Sequence, residues 1–368
     1  MSPDESTFVI EQPVGSLAVH DLTVAPAREG APVVLAVHGI TANGLSWRAL
    51  ADELHRRHGP GAVRVLAPDL RGRAASREAS GPYGLAVHAQ DLATVAAVFG
   101  VRPVVVGHSM GAFVAALAAA GHPDTFTSVV LVDGGLDFPA PPDLDIDAAL
   151  QAVIGPAMDR LGMRFESPSA HLGFWARHPA VGPLLAGPAA SVVRAYLDHD
   201  LVPAPDAPGR WMSSCILDAV RADGADVLAD DAVHAAARRA VEQDVHLELV
   251  WAARGLMDEP QGLYDETRLA ALDLPSSLAT HRVDANHYDV ILTGEGLATV
   301  ADVVDRSLGR VLAEGGVTIP PADGGRWVSG SRAVAACAGR PGSPARGRDA
   351  ASRLRAGRRP GPGAAPRC

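Results

Sequence analysis

No lysine occurs among the 368 residues, so all 32 basic side chains are arginine. A phosphate loop of the G-x-x-x-x-G-K-[ST] type is thereby excluded, because its lysine has no counterpart. Cysteine is nearly as scarce. Cys215, Cys337 and Cys368 share no metal-ligand or disulfide spacing, which fits a reducing compartment. No run of about 18 apolar residues is present, so no transmembrane helix is expected. The acidic, polar start Met1-Ser2-Pro3-Asp4-Glu5-Ser6 lacks the basic and apolar regions of a secretory signal, and the expected location is cytoplasmic. The 14 histidines include no H-x-x-x-H pair, so neither a metal site nor a cofactor is expected.

Charge is unevenly distributed along the chain. Ten arginines and one acid, Asp349, follow Gly325, a net +9 that leaves −19 on the first 325 residues. So acidic a body disfavours nucleic acid and anionic membranes as partners. Residues 317–368 are rich in Arg, Gly, Ala and Pro, and from Pro341 onward Leu354 is the only large apolar side chain. Such a segment cannot bury enough surface to offset its ordering entropy, so a disordered tail is expected. The sequence carries no sign of oligomeric state.

What is abundant is apolar surface, 48% of residues, in alternating patterns. Short apolar runs at Ser16–Val24, Pro32–Val37, Ala62–Ala67, Val104–Val106, Thr127–Val132, His246–Trp251 and Ser277–Val283 read as strands. Helical stretches lie between and after them: Ser46–His58 with Ser46 as its cap, Gly84–Phe99 ended by Gly100, and Glu295–Ala313. This alternation predicts an α/β fold with a mostly parallel central sheet and helices on both faces. Strand signals vanish between Val132 and His246. There, Ile146–Leu161, Ser169–Arg177, Ala189–His199, Arg210–Arg221 and Ala229–Gln243 read as helices. The expected organisation is a core of residues 1–137 and 244–316, a helical cap over 138–243, and the tail 317–368.

The most informative residues are Gly107-His108-Ser109-Met110-Gly111, a G-x-S-x-G motif between a β-branched run and the alanine-rich helix former Ala112–Ala120. A serine on a tight strand-to-helix turn holds its hydroxyl clear of the sheet. The glycines are needed because a Cβ would clash in the turn. A serine nucleophile needs a base, and the base needs an orienting carboxylate. His287, after the last strand, is the expected base. His281 lies within that strand, and His108 and His38 fit structural roles in their loops. Asp258, after the His246–Trp251 strand, is the expected acid, with Asp133 the alternative. The expected oxyanion donors are the backbone N–H groups of Met110 and Ile40.

Together these residues resemble the α/β-hydrolase superfamily over about Ser16 to Ala313. The landmarks are His38-Gly39, Asp69-Leu70-Arg71-Gly72-Arg73, the turn at Ser109, Gly255-Leu256-Met257-Asp258 and Asn286-His287. The resemblance implies a helical cap inserted after strand 6, and structural roles for Asp69 and Arg71. A serine nucleophile implies acyl chemistry, unlike the aspartate of the epoxide hydrolases and haloalkane dehalogenases of this fold. The substrate expected is a small, largely apolar molecule with a carboxylic ester or related acyl bond. Alternatives are C–C bond hydrolysis of a β-diketone-like or specialised-metabolite substrate, and a non-catalytic ligand-binding protein on this scaffold. His38, Gly39, His108, Phe174, Trp175 and Trp211 are candidate substrate contacts.

Overall fold

The computed structural model describes residues 6–12, 15–137 and 145–313. The expected tail and the start of the expected cap lie outside the described residues.

Ten strands are described: β1 (Ser6–Gln12), β2 (Gly15–Asp21), β3 (Val33–Val37), β4 (Arg64–Pro68), β5 (Val104–His108), β6 (Ser128–Val132), β7 (Leu201–Pro203), β8 (Trp211–Ser213), β9 (His246–Ala252) and β10 (Ala279–Val283). Eight form one sheet in the order β1-β2-β4-β3-β5-β6-β9-β10, and β7 pairs with β8 apart from it. β1 and β2 run antiparallel at one edge, and from β4 to β10 every pairing is parallel. β3, β5 and β6 are buried along their whole length. Their near-continuous apolar runs suit a strand covered on both faces. The chain leaves β3 for β4 on one side and returns to β5 on the other. The strand order therefore reverses between β3 and β5, and a crevice opens beyond their carboxyl ends, where ligands of open α/β sheets bind.

The helices are α1 (Arg48–His58), α2 (Leu85–Phe99), α3 (Met110–Gly121), α4 (Ile146–Gly162), α5 (Pro168–Trp175), α6 (Gly182–Ala186), α7 (Ala190–His199), α8 (Leu217–Ala229), α9 (Asp231–His234), α10 (Ala236–Glu242), α11 (Glu266–Ala271), α12 (Asp289–Leu292) and α13 (Gly294–Ala313). α3 is almost entirely buried, and its small side chains let it lie close against β5 and β6. α2 and α10 flank it. Among the described residues between β6 and β9, the elements are helices α4 to α10 and the β7–β8 pair. α4 kinks at Ile154 (φ −117°, ψ 16°), two residues before Pro156, whose ring and missing N–H interrupt the helix. Among the described residues no helix is long and apolar enough to cross a membrane.

Local structure departs from the sequence reading at four places. β1 was not foreseen, since only Ile10 of this edge strand is buried. The helix expected to be capped by Ser46 begins instead with a 3₁₀ turn, Gly44–Trp47, capped by the Asn43 side chain, which accepts from Leu45 N at 3.1 Å. The stretch Arg210–Arg221 is not one helix. Ser213 and Ser214 hydroxyls donate to Asp200 Oδ1 at 3.0 and 2.9 Å, and the Ser214 N–H donates to the Asp200 carbonyl. These bonds hold the chain extended through β8, and the helix starts only at Leu217. Ala229–Gln243 is broken at Asp230, whose carboxylate accepts from Ala232 and Val233 N–H and caps α9.

Candidate active site

Ser109 sits between the end of β5 and the start of α3 at φ 56°, ψ −125°. This backbone region is strained for a residue with a side chain, and it persists only where the surroundings enforce it. Enforcement comes from close packing. A Cβ on Gly107 would stand 2.2 Å from the Gly111 carbonyl oxygen, and one on Gly111 would stand 2.3 Å from that of Val37. No side chain fits either gap, so the two motif glycines allow the turn to close. Ser109 N–H donates to the Val132 carbonyl at 2.9 Å, which ties the turn to β6.

That tie decides which carboxylate reaches His287. β5 and β6 pair with Gly107 opposite Leu131 and His108 opposite Val132. The next residue of β6 is Asp133, so it emerges beside Ser109. It is fully buried, and its backbone adopts φ 45°. Its N–H donates to the Val250 carbonyl at 2.8 Å, and its Oδ1 accepts from Ala252 N–H at 3.1 Å. Oδ2 lies 2.6 Å from His287 Nδ1. Nδ1–H therefore donates to the carboxylate, and Nε2 keeps its lone pair. Asp258, the acid expected from the sequence, is not the partner of His287. Its side chain is 43% exposed, pairs with Arg254 at 2.8 Å and accepts from Asn286 Nδ2 at 3.1 Å. The Arg254 guanidinium lowers its pKa. Asp258 acts one residue away from the histidine: Asn286 Oδ1 accepts from Tyr288 and Asp289 N–H at 3.0 and 2.9 Å and shapes the loop carrying His287.

The Ile40 and Met110 N–H groups have no hydrogen-bond partner among the described residues. Both residues line a cavity with Ser109. The loop holding Ile40 is fixed from behind, where Arg73 Nε donates to the Ile40 carbonyl at 3.0 Å and Arg73 pairs with Asp223 at 2.6 Å, both side chains fully buried. Arg73 was named only as part of the Asp69–Arg73 turn, and the sequence does not reveal this contact.

His38, a candidate substrate contact, lines neither cavity at Ser109. It is fully buried, its Nδ1 donates to the Gly39 carbonyl at 2.7 Å, and its Nε2 accepts from Leu70 N–H at 2.9 Å. Both nitrogens are occupied, and burial pushes its pKa down to about 4. His108 and Gly39 do line a cavity with Ser109. His108 Nε2 donates to the His287 carbonyl at 2.8 Å, and burial holds the ring neutral. Phe174, Trp175 and Trp211 lie outside both cavities. Phe174 and Trp175 pack edge-to-face at 5.5 Å within the inserted helices, and Trp211 pairs with Phe165 along the backbone. Trp175 is buried in the insertion, while Phe174 and Trp211 are partly buried and pack on their neighbours rather than on either cavity.

Two cavities meet at Ser109 and share Ile40 and Ile154. The larger, of about 430 Å³, runs under α4 and α8 past Phe113, Leu150, Val153, Val227 and Leu228. The smaller, of about 40 Å³, holds His287, Tyr196, Tyr288 and Ser46. Elsewhere, the His20, Asp69 and His199 ligand atoms lie within 4.8 Å of one another, a spacing that could hold a metal ion. Asp69 Oδ2 also lies 3.0 and 2.9 Å from the two ring Nε2 atoms, and the carboxylate accepts from Gly44 and Ala75 N–H. Hydrogen bonding alone satisfies this group, which joins α7 to the core.

A serine on a strand-to-helix turn, with a buried aspartate after the adjacent strand and a histidine after the last parallel strand of the same sheet, is the arrangement of the α/β hydrolases. The family model described as alpha/beta hydrolase fold matches residues 32–292, and the chain belongs to that family. It is 38% identical to Lipase LipV of Mycobacterium tuberculosis over 101 residues, 27% of this chain and 36% of the lipase. It is 31% identical to an uncharacterized protein of Mycobacterium bovis over 105 residues, 28% of this chain and 29% of that protein. The chain thus matches only about a third of the length of these relatives. An α/β hydrolase from Novosphingobium aromaticivorans superposes with a TM-score of 0.60 at 19% identity, covering 84% of this chain and 100% of that one.

Proposed function

We propose that this α/β hydrolase is a serine hydrolase that cleaves a carboxylic ester of a small, largely apolar molecule through an acyl-enzyme. The observation that carries this reading is the 2.6 Å contact between His287 Nδ1 and the buried Asp133 carboxylate, with His287 and Ser109 lining one cavity. Asp133 holds the imidazole in the tautomer whose Nε2 can take a proton, and it stabilises the imidazolium that forms. Ser109 Oγ attacks the ester carbonyl carbon while its proton passes to His287 Nε2. The oxyanion is received by the free N–H groups of Ile40 and Met110 at the start of α3. The C–O bond then breaks, His287 returns the proton to the departing alcohol, and Ser109 carries the acyl group. Water repeats the steps in reverse order and releases the acid. The apolar cavity suits the substrate class, and the partial likeness to a lipase supports ester chemistry. The helices over the cavities act as a cap.

The test is hydrolysis of p-nitrophenyl esters from acetate to decanoate by the intact chain and by Ser109→Ala. Turnover should fall by about 10⁴-fold or more in the variant. A variant that keeps most of the activity would refute the serine mechanism.

A further inference from the structure

The two cavities differ in size and also in chemistry. The large one is walled mostly by apolar side chains, with Asp133 and Arg268 the charged residues of its lining, and it includes both free N–H groups but not His287. The small one contains His287. The proton that the departing alcohol takes up comes from His287 Nε2. The alcohol therefore lies on the His287 side of Ser109, and the acyl chain occupies the large cavity. This assignment rests on the serine-hydrolase reading above.

Beside Ser109 and Thr41, the small cavity is lined by three further hydroxyl residues, Ser46, Tyr196 and Tyr288. Ser46 is 2% exposed, and its Oγ is buried with no partner. The phenols of Tyr196 and Tyr288 have no hydrogen-bond partner among the described residues. Burial raises Tyr196 to about 12 and raises Tyr288 further, outweighing the nearby Arg160 charge that lowers both, so both phenols remain protonated donors. Buried polar groups in folded proteins are almost always paired, and an unpaired group at a cavity wall is a place where a ligand atom or water completes the bonding. A cavity of about 40 Å³ has room for roughly three waters at about 10–15 Å³ each, or for an alcohol of a few heavy atoms. The lining also includes the apolar Leu256, Ile291 and Leu292, and the small volume restricts the length of that alcohol.

We propose that this cavity is an alcohol subsite in which Ser46, Tyr196 and Tyr288 hydrogen-bond a small alcohol moiety bearing a second hydroxyl, so that the preferred substrates are glycol-type esters of apolar acids. The ester oxygen faces His287, and the second hydroxyl reaches the phenols. Long alkyl alcohols exceed the space and have nothing to offer the three hydroxyls.

The experiment compares kcat/KM for the methyl, ethyl, 2-hydroxyethyl and hexyl esters of octanoic acid, in the intact chain and in Tyr196→Phe and Tyr288→Phe. A fixed acyl group makes the ratio between esters report the alcohol side alone. The 2-hydroxyethyl ester should exceed the ethyl ester about tenfold, and the hexyl ester should fall at least tenfold below it. In each phenylalanine variant the 2-hydroxyethyl to ethyl ratio should collapse toward one, an effect that general loss of packing would not produce. A ratio near one in the intact chain, or an unchanged ratio in both variants, would overturn the subsite. An effect of the variants on kcat with no change in ratio would mean that the hydroxyls hold only the deacylating water, and would overturn it as well. No Ser109-dependent turnover of any of these esters would instead contradict the serine-hydrolase reading beneath it.

Discussion

Asp133→Asn should lower kcat/KM for a p-nitrophenyl ester by about 10⁴-fold, while Asp258→Asn should change it by less than about tenfold. The first substitution keeps the shape of the side chain but removes the charge 2.6 Å from His287 Nδ1. An amide there can donate to Nδ1, which favours the tautomer with its proton on Nε2, where the base must be free. Nothing else compensates, because Asp133 is fully buried and its other oxygen is held by Ala252 N–H. Asp258 is an exposed partner of Arg254 and Asn286, and its loss disturbs the histidine only through the loop. Exposed ion pairs contribute at most about 1 kcal/mol. Side-by-side kinetics of the two purified variants checks both halves. A large loss in Asp258→Asn with little in Asp133→Asn would reverse the assignment.

The second large effect concerns the turn. Gly107→Ala and Gly111→Ala should each destabilise the fold by about 3 kcal/mol or more, and each should abolish activity in whatever protein still folds. The Cβ of the first would lie 2.2 Å from the Gly111 carbonyl oxygen, and that of the second 2.3 and 2.6 Å from those of Val37 and His38. All three obstacles are backbone atoms of β3, α3 and the loop between strands, and none can rotate away as a side chain tip can. Gly173→Ala is the matched control. It stands in α5 with no atom within 4 Å of the added Cβ, and should be neutral or stabilising by about 0.5–1 kcal/mol. Urea unfolding of the three variants measures the contrast. Equal midpoints for all three would show that the turn is not held as tightly as the packing implies.

Ser109 was legible because its signal is local: two glycines, a β-branched run before and an alanine-rich run after. His287 was legible because it follows the last strand. The acid was not, since the choice between Asp133 and Asp258 depends on which strand lies next to β5 and in what register. Chain order alone allows either residue. The Asp133-Gly134-Gly135 stretch directly after an apolar strand was the available signal. A Cβ on Gly134 would sit 2.3 Å from the Ser109 carbonyl oxygen, so that glycine already recorded the close approach of the two turns. The small cavity was invisible for the same reason. Ser46, Tyr196 and Tyr288 come from three distant segments, and apolar periodicity carries no information on where hydroxyls converge. The aromatic residues of the insertion were read as substrate wall. Trp175 is buried within it instead, with Phe174 packed edge-to-face against it, and Trp211 pairs with Phe165, because the short helices of the insertion need large side chains to pack against one another.

Mass spectrometry of the intact chain, acid-quenched during turnover of p-nitrophenyl octanoate, tests the central claim most directly. The predicted result is a single octanoyl adduct mapped to Ser109, absent in Ser109→Ala and formed far more slowly, if at all, in His287→Ala, which has lost the base that activates the serine. Turnover with no adduct, or an adduct on another residue, would contradict the account.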